Sequence, residues 1–284
     1  QIISSDLVSN GNFSQEGVQE VSNGSFSQEG SEEITNGNFD TDTKWSKGTG
    51  WSISGGSANC DGTQSGNTEL KQQGNVLGAT IDFVVGKTYK VNFDIVVTSG
   101  HITYIEVASG YDNNNITTSG NHTAYITAVS TNDRFTITVN SDFIGSIDNV
   151  SVKEVGQDWT ILNDVTSFSF ENGIANIQGT SNSANNGIKQ TSISSVIGKT
   201  YKISATLRSN DGGLYRFRLL DGSYFDLGSG NNSEFETITS YHTATSTAFT
   251  ILATSWYTNG TEDFSITNIS VKEVGQNWTL GSGW

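Results

Sequence analysis

Proline and methionine are missing from all 284 residues, and cysteine occurs once, at Cys60. A single cysteine excludes an intrachain disulfide, so a fold here must be held by core burial. Basic residues are also scarce: 14 Lys and Arg stand against 29 Asp and Glu, for a net charge of −15. That balance argues against nucleic acid as a partner, because phosphate binding draws its affinity from Lys and Arg that release counterions. No apolar run approaches the roughly 20 residues a helix needs to cross a bilayer, so membrane insertion is not expected. The chain contains no GxSxG elbow, P-loop or CxxC, and His101, His122 and His242 lack metal-ligand spacing. The nearest carboxylate pairs, Asp221 with Asp226 and Glu234 with Glu236, read as solvated surface rather than as the two acids across a glycosidase cleft. The chain is expected not to be an enzyme.

What the chain does contain is repetition. SVKEVGQDWT, from Ser151 to Thr160, returns as SVKEVGQNWT from Ser270 to Thr279. The spacing, about 120 residues, suits one small all-β domain and marks the seams of a tandem array. After the second seam, Trp278 to Trp284 repeats the spacing of Trp45 to Trp51, so residues 276–284 read as the start of a further unit of a longer polypeptide. Near the front a shorter motif occurs three times: Val8-Ser-Asn-Gly-Asn-Phe13, Val21-Ser-Asn-Gly-Ser-Phe26 and Ile34-Thr-Asn-Gly-Asn-Phe39. Each reads as a short strand with an Asn-Gly turn, a dipeptide that accepts positive φ cheaply.

Between the seams apolar and polar residues alternate with the period of a half-buried antiparallel strand. Tyr89, Val91, Phe93, Ile95 and Val97 oppose Lys90, Asn92 and Asp94, and Phe135, Ile137 and Val139 oppose Thr136 and Thr138. In the second half Tyr201, Ile203, Ala205 and Leu207 alternate with Lys202, Ser204, Thr206 and Arg208, and Tyr215, Phe217 and Leu219 with Arg216 and Arg218. The expectation is all-β: two tandem β-sandwich jelly rolls, residues 31–155 and 156–275, preceded by the strand cassettes of residues 1–30. One cassette suffices to open one sandwich, which leaves two without a partner. A strand with unpaired N–H and C=O groups seeks a sheet edge, so residues 7–26 are expected either to self-associate or dock on another subunit by strand addition, or else to be a flexible leader or the remnant of degenerated modules.

Four landmarks occur in order: NGNFD at Asn36, WSISGG at Trp51, VGKTYKV at Val85 and GSIDNVSVKEV at Gly145. They resemble the carbohydrate-binding-module type of jelly roll, the galactose-binding-like sandwich found beside glycoside hydrolases. Their wording is most similar to tandem modules in tail-fibre and virion surface proteins of bacteriophages. The resemblance spans about Ile34 to Val274. It implies a structural, adhesive segment of a fibre, on a virion surface or extracellular, or alternatively a secreted pair of modules attached to a polysaccharide-degrading enzyme or adhesin. It also implies a structural Ca²⁺ in the first domain, with Asp40 and Asp148 as ligands. The second domain departs from that pattern, because Thr267 stands where Asp148 would.

Sugar binding needs exposed rings that stack on pyranose faces, with polar side chains beside them. Trp256 and Tyr257 near Asn259 are the first candidates for surface glycans, and Tyr111 with Asp112 and Asn113 the next. The alternative, that these rings cap a core or line a domain contact, is the commoner use of residues with an apolar body and one polar end.

Overall fold

A computed structural model describes residues 14–179, 186–256 and 262–276, and every regular element among them is a β-strand. Two leading strands come first, β1 (Glu16–Gln19) and β2 (Glu29–Glu32). Then follow β3 (Ser46–Lys47), β4 (Trp51–Ser54), β5 (Ser57–Asp61), β6 (Thr68–Gln73), β7 (Thr88–Ser99) and β8 (Ile102–Val107). The first half closes with β9 (Gly110–Asp112), β10 (Gly120–Thr127), β11 (Arg134–Val139) and β12 (Ile144–Val155). The second half holds β13 (Thr160–Ile161), β14 (Val165–Glu171), β15 (Ile174–Gly179), β16 (Gly187–Ser194) and β17 (Thr200–Ser209). It ends with β18 (Leu214–Asp221), β19 (Ser223–Gly230), β20 (Glu236–Thr243), β21 (Ala248–Trp256) and β22 (Glu262–Val274).

Both domains follow one plan of two antiparallel sheets. In the first, a six-stranded sheet runs β10-β7-β12-β5-β4 with β2 added to β12, and a five-stranded sheet runs β3-β6-β11-β8-β9. In the second, β20-β17-β22-β15-β14 with β1 on β22 matches the former, and β13-β16-β21-β18-β19 matches the latter. The alternation read in the sequence fills the space between the sheets: Tyr89, Val91, Phe93, Ile95, Phe135, Ile137 and Val139 are buried in the first domain. Tyr201, Ile203, Ala205, Leu207, Tyr215, Phe217 and Leu219 are buried in the second. Each buried large side chain contributes about 1.5–3 kcal/mol over its exposed state, which is how a domain without disulfides holds. The cores match in detail. Burial pushes the Tyr89 phenol up to about 12, and its oxygen accepts the Val84 N–H at 2.9 Å, while Tyr201 accepts the Val196 N–H at 2.9 Å.

The leading segment departs from expectation. Chain contacts divide the molecule at Gln28/Glu29 and at Gln157/Asp158, so residues 14–28 belong with the second domain and the first is inserted in sequence after them. β1 pairs with β22, the last strand of the second domain, as β2 pairs with β12, the last of the first. The cassette Val21–Phe26 is therefore no spare strand. Residues 16–26 bond to β22 and to Gln190 within this chain, and the expected boundaries at residues 30 and 155 shift accordingly. The cassette Val8–Phe13 and the repeat start at 277–284 lie outside the described residues.

The same contacts seat both cassettes. Trp45 Nε1 donates to the Asn36 carbonyl at 2.9 Å, and Trp159 Nε1 donates to the Asn23 carbonyl at 3.1 Å. Phe39 lies 5.0 Å from the Trp45 ring and Phe26 5.2 Å from that of Trp159, centroid to centroid. Gln72 Oε1 accepts from Thr35 N and its Nε2 donates to Thr35 O, and Gln190 does the same for Ser22. Glu29 bridges Lys90 and Lys153, and Glu16 bridges Lys202 and Lys272. Asn23 and Asn36 take the positive φ that an Asn-Gly turn allows, 45° and 56°. The glycine beside each is needed for a different reason: a Cβ at Gly24 would lie 2.1 Å from Ile269 O, and one at Gly37 1.9 Å from Val150 O.

Candidate functional surface

Each domain turns one side of its five-stranded sheet away from the core, and each of these faces carries side chains suited to a ligand. In the first domain, β11 brings Thr136 and Thr138 to that side, because Phe135, Ile137 and Val139 point inward. Cross-strand register places Lys71 and Glu106 beside Thr136, and Glu69 and Tyr104 beside Thr138. Tyr111, opposite Glu106, completes the row. Alternation alone would leave the two threonines exposed, yet they are 1% and 2% exposed, and neither hydroxyl finds a protein partner. Tyr104 and Tyr111 meet edge to face at 5.6 Å, with Tyr111 49% exposed. Charges here are balanced: Arg134 Nε donates to the buried Glu106 at 3.0 Å, and Lys71 pairs with Glu69 at 3.1 Å.

The corresponding face of the second domain is built differently. Register sets Lys189, Leu252, Arg218 and Asp226 in one row, and Thr254 and Arg216 in the next. Arg216 pairs with Asp226 at 2.8 Å. Arg218 lies over the Tyr224 ring at 4.9 Å from its centroid and donates to the Thr254 hydroxyl at 3.1 Å. Burial, and then the like charge of Arg216, pull the Arg218 guanidinium below its ordinary pKa.

Of the residues singled out for sugar contact, Tyr111 stands on the first face. Asp112 does not: its carboxylate accepts from Asn114 N at 3.0 Å and from Asn114 Nδ2 at 2.6 Å, so it holds its own loop. Asn113 is exposed in that loop. Trp256 ends β21 opposite Leu214, while Tyr257 and Asn259 lie outside the described residues. Tyr104, Arg216, Arg218 and Tyr224 were not singled out. Their signal was an ordinary strand alternation in which the polar side reads as solvated.

The proposed calcium ligands keep separate company. Asp40 accepts from Asn38 Nδ2 at 2.5 Å, whereas Asp148 accepts from Asn149 N at 2.6 Å and lines a shallow cleft with Asp94, Asn121, Gly55 and Gly56. Among the described residues no three His, Cys, Asp or Glu side chains gather closely enough for a metal. Thr267, at the equivalent place, donates to the Gly173 carbonyl at 2.5 Å and ties β22 to the β14–β15 hairpin.

The two carboxylate pairs were expected at a solvated surface, and Asp221 departs from that. Asp221 is buried on the core side of β18, accepting from His242 Nε2 at 2.7 Å, from Thr245 N at 2.7 Å and from Ser246 Oγ. Asp226 belongs to the outer face with Arg216. Glu236 accepts from the Tyr215 hydroxyl, while Glu234 is exposed.

No family model matches this chain, and no curated protein does. Solved structures do show likeness. A family 4 carbohydrate-binding module is 15% identical, covering 40% of this chain and 86% of its own, with a TM-score of 0.34. The tandem CBM22-1–CBM22-2 domain of Xyn10C from Paenibacillus barcinonensis is 10% identical, covering 87% and 98%, with a TM-score of 0.35. The tandem CBM51 modules of the family 98 glycoside hydrolase from Streptococcus pneumoniae are 8% identical, covering 92% and 96%, with a TM-score of 0.23.

Proposed function

We propose that this chain is a non-catalytic pair of glycan-binding modules, belonging to an extracellular or virion-surface protein that attaches to carbohydrate. The observation that carries this is the outer face of the first domain. There the half-exposed Tyr111 meets Tyr104 edge to face, beside the accessible Lys71–Glu69 pair and the Arg134–Glu106 pair. A sugar ring offers an apolar face to stack on a tyrosine and hydroxyls that both donate and accept, and this surface presents the complement of each. Two modules in one chain let weak contacts add as avidity, which suits adhesion. Placement on a phage fibre agrees with the wording of the four landmark motifs and with the tandem repeats.

The test is a glycan array with the full chain and with Tyr111→Ala. The reading expects a defined set of neutral glycans to be retained by the full chain and bound at least about tenfold more weakly by the variant, a loss of roughly one stacked aromatic contact. Equal retention by the variant would move the site elsewhere, and silence across the array would remove the function.

A further inference from the structure

The two outer faces differ in charge, and the difference names a ligand class. On the first, Lys71 and Arg134 each have a carboxylate partner in Glu69 and Glu106. On the second, Lys189, Arg216 and Arg218 share one row and its neighbour with a single carboxylate, Asp226, which is committed to Arg216. Arg216 and Arg218 are two residues apart on β18, so their side chains leave the same side of the strand about 7 Å apart. They are two of only four arginines in a chain of net charge −15. Among the described residues neither Arg218 nor Lys189 forms an ion pair, and the buried Nε of Arg218 finds no acceptor. Tyr224, 58% exposed, lies under the Arg218 guanidinium, 4.9 Å from ring centroid to Cζ. A guanidinium presents a planar fork of donors, the geometry that matches a carboxylate with two parallel hydrogen bonds.

We propose that the outer face of the second domain, through Arg218 with Arg216 and Lys189, binds the carboxylate of a uronic-acid-containing glycan, with Tyr224 alongside the sugar ring. This inference rests on the glycan-binding reading and deepens it: the first face takes neutral sugar and the second acidic sugar, so that the pair reads a polymer carrying both.

The experiment measures retention of the full chain on immobilised polygalacturonate, on the same polymer with its carboxyl groups reduced to alcohols, on neutral galactan and on dextran sulfate. The expected result is retention on polygalacturonate that falls at least about tenfold on the carboxyl-reduced polymer. Arg218→Gln should lower it by a similar factor and Arg218→Lys nearly as much, because a lysine keeps the charge and loses the fork. Lys87→Gln, which removes an equal charge from the first domain, should leave it unchanged. Equal binding of native and reduced polymer overturns the proposal without requiring any variant to fold. Stronger retention on dextran sulfate than on polygalacturonate overturns it by showing unselective anion attraction. Binding to neutral galactan with no preference for the uronate overturns this inference alone, as does no binding to any of the polymers, whereas silence across the glycan array overturns the glycan-binding reading with it.

Discussion

The two domains share a plan and differ in how the chain supplies it. In the first, cassette and sandwich are contiguous: Asn36 and the Trp45 that caps its carbonyl are nine residues apart. In the second, the equivalent Asn23 and Trp159 are 136 residues apart, with a whole domain between them. The contacts are nevertheless the same, down to the glutamine that bridges each cassette's backbone and the glutamate that bridges two lysines. The cassette is therefore a separable part, recognised by its own side chains rather than held in place by the residues next to it. A second contrast lies on the outer faces, one charge-balanced and tyrosine-lined, the other rich in arginine.

The largest break in this comparison should come from the cassette phenylalanines. Phe26→Ala removes a side chain 3% exposed that packs on Trp159 and Phe170. It is expected to destabilise the second domain by about 3–5 kcal/mol, while Phe39→Ala does the same to the first. Calorimetry resolving two transitions checks this, each variant lowering one transition only. Both transitions falling together for either variant would contradict the separable assignment.

Next in size is the close approach behind the Asn-Gly turns. Gly37→Ala and Gly24→Ala each drive a Cβ onto a backbone carbonyl, which neither strand can easily yield. About 1–3 kcal/mol, confined to the domain concerned, is expected from urea titration of each variant. Gln190→Leu should be of similar or smaller size, about 1–3 kcal/mol, because it removes the partner of the Ser22 N–H and C=O in two part-buried hydrogen bonds.

Acid should separate the domains as well. Burial raises the Asp221 carboxyl, but hydrogen bonds from Ser246, His242 and Thr245 outweigh it and hold the group well below the usual carboxylate range. A carboxyl depressed on folding contributes stability that is complete above its unfolded pKa, near 4, and is lost as pH falls below that. The second transition should drop between about pH 4 and pH 2 in wild type, and that dependence should flatten in Asp221→Asn. The smallest effect expected is from Glu16→Gln, where partly exposed ion pairs to Lys202 and Lys272 change stability by less than about 1 kcal/mol.

Much of the fold was legible because alternation reports burial directly: Tyr89 to Ile95 and Tyr201 to Leu207 took the faces their pattern required. The ownership of the cassettes was not legible. Three near-identical motifs say nothing of which groove each fills, and the partner of Gln19 is Lys272, far along the chain. On the outer faces, Tyr111 stood out as an aromatic among Asp and Asn, but Arg216 and Arg218 looked like any solvated side of a strand. Only cross-strand register, which sets Arg218 beside Asp226 and Leu252 and brings Tyr224 beneath it, shows that they converge. Thr136 and Thr138 were misread for the same reason, since a period of two predicts direction but not cover.

Amide hydrogen exchange on a chain lacking residues 1–28 tests the separable cassette most directly. Protection should collapse along β22 and its neighbours β15 and β17 of the second domain, while β7 and β12 of the first keep theirs. Unchanged protection in β22, or equal loss in both domains, would contradict the assignment of residues 16–26 to the second sandwich.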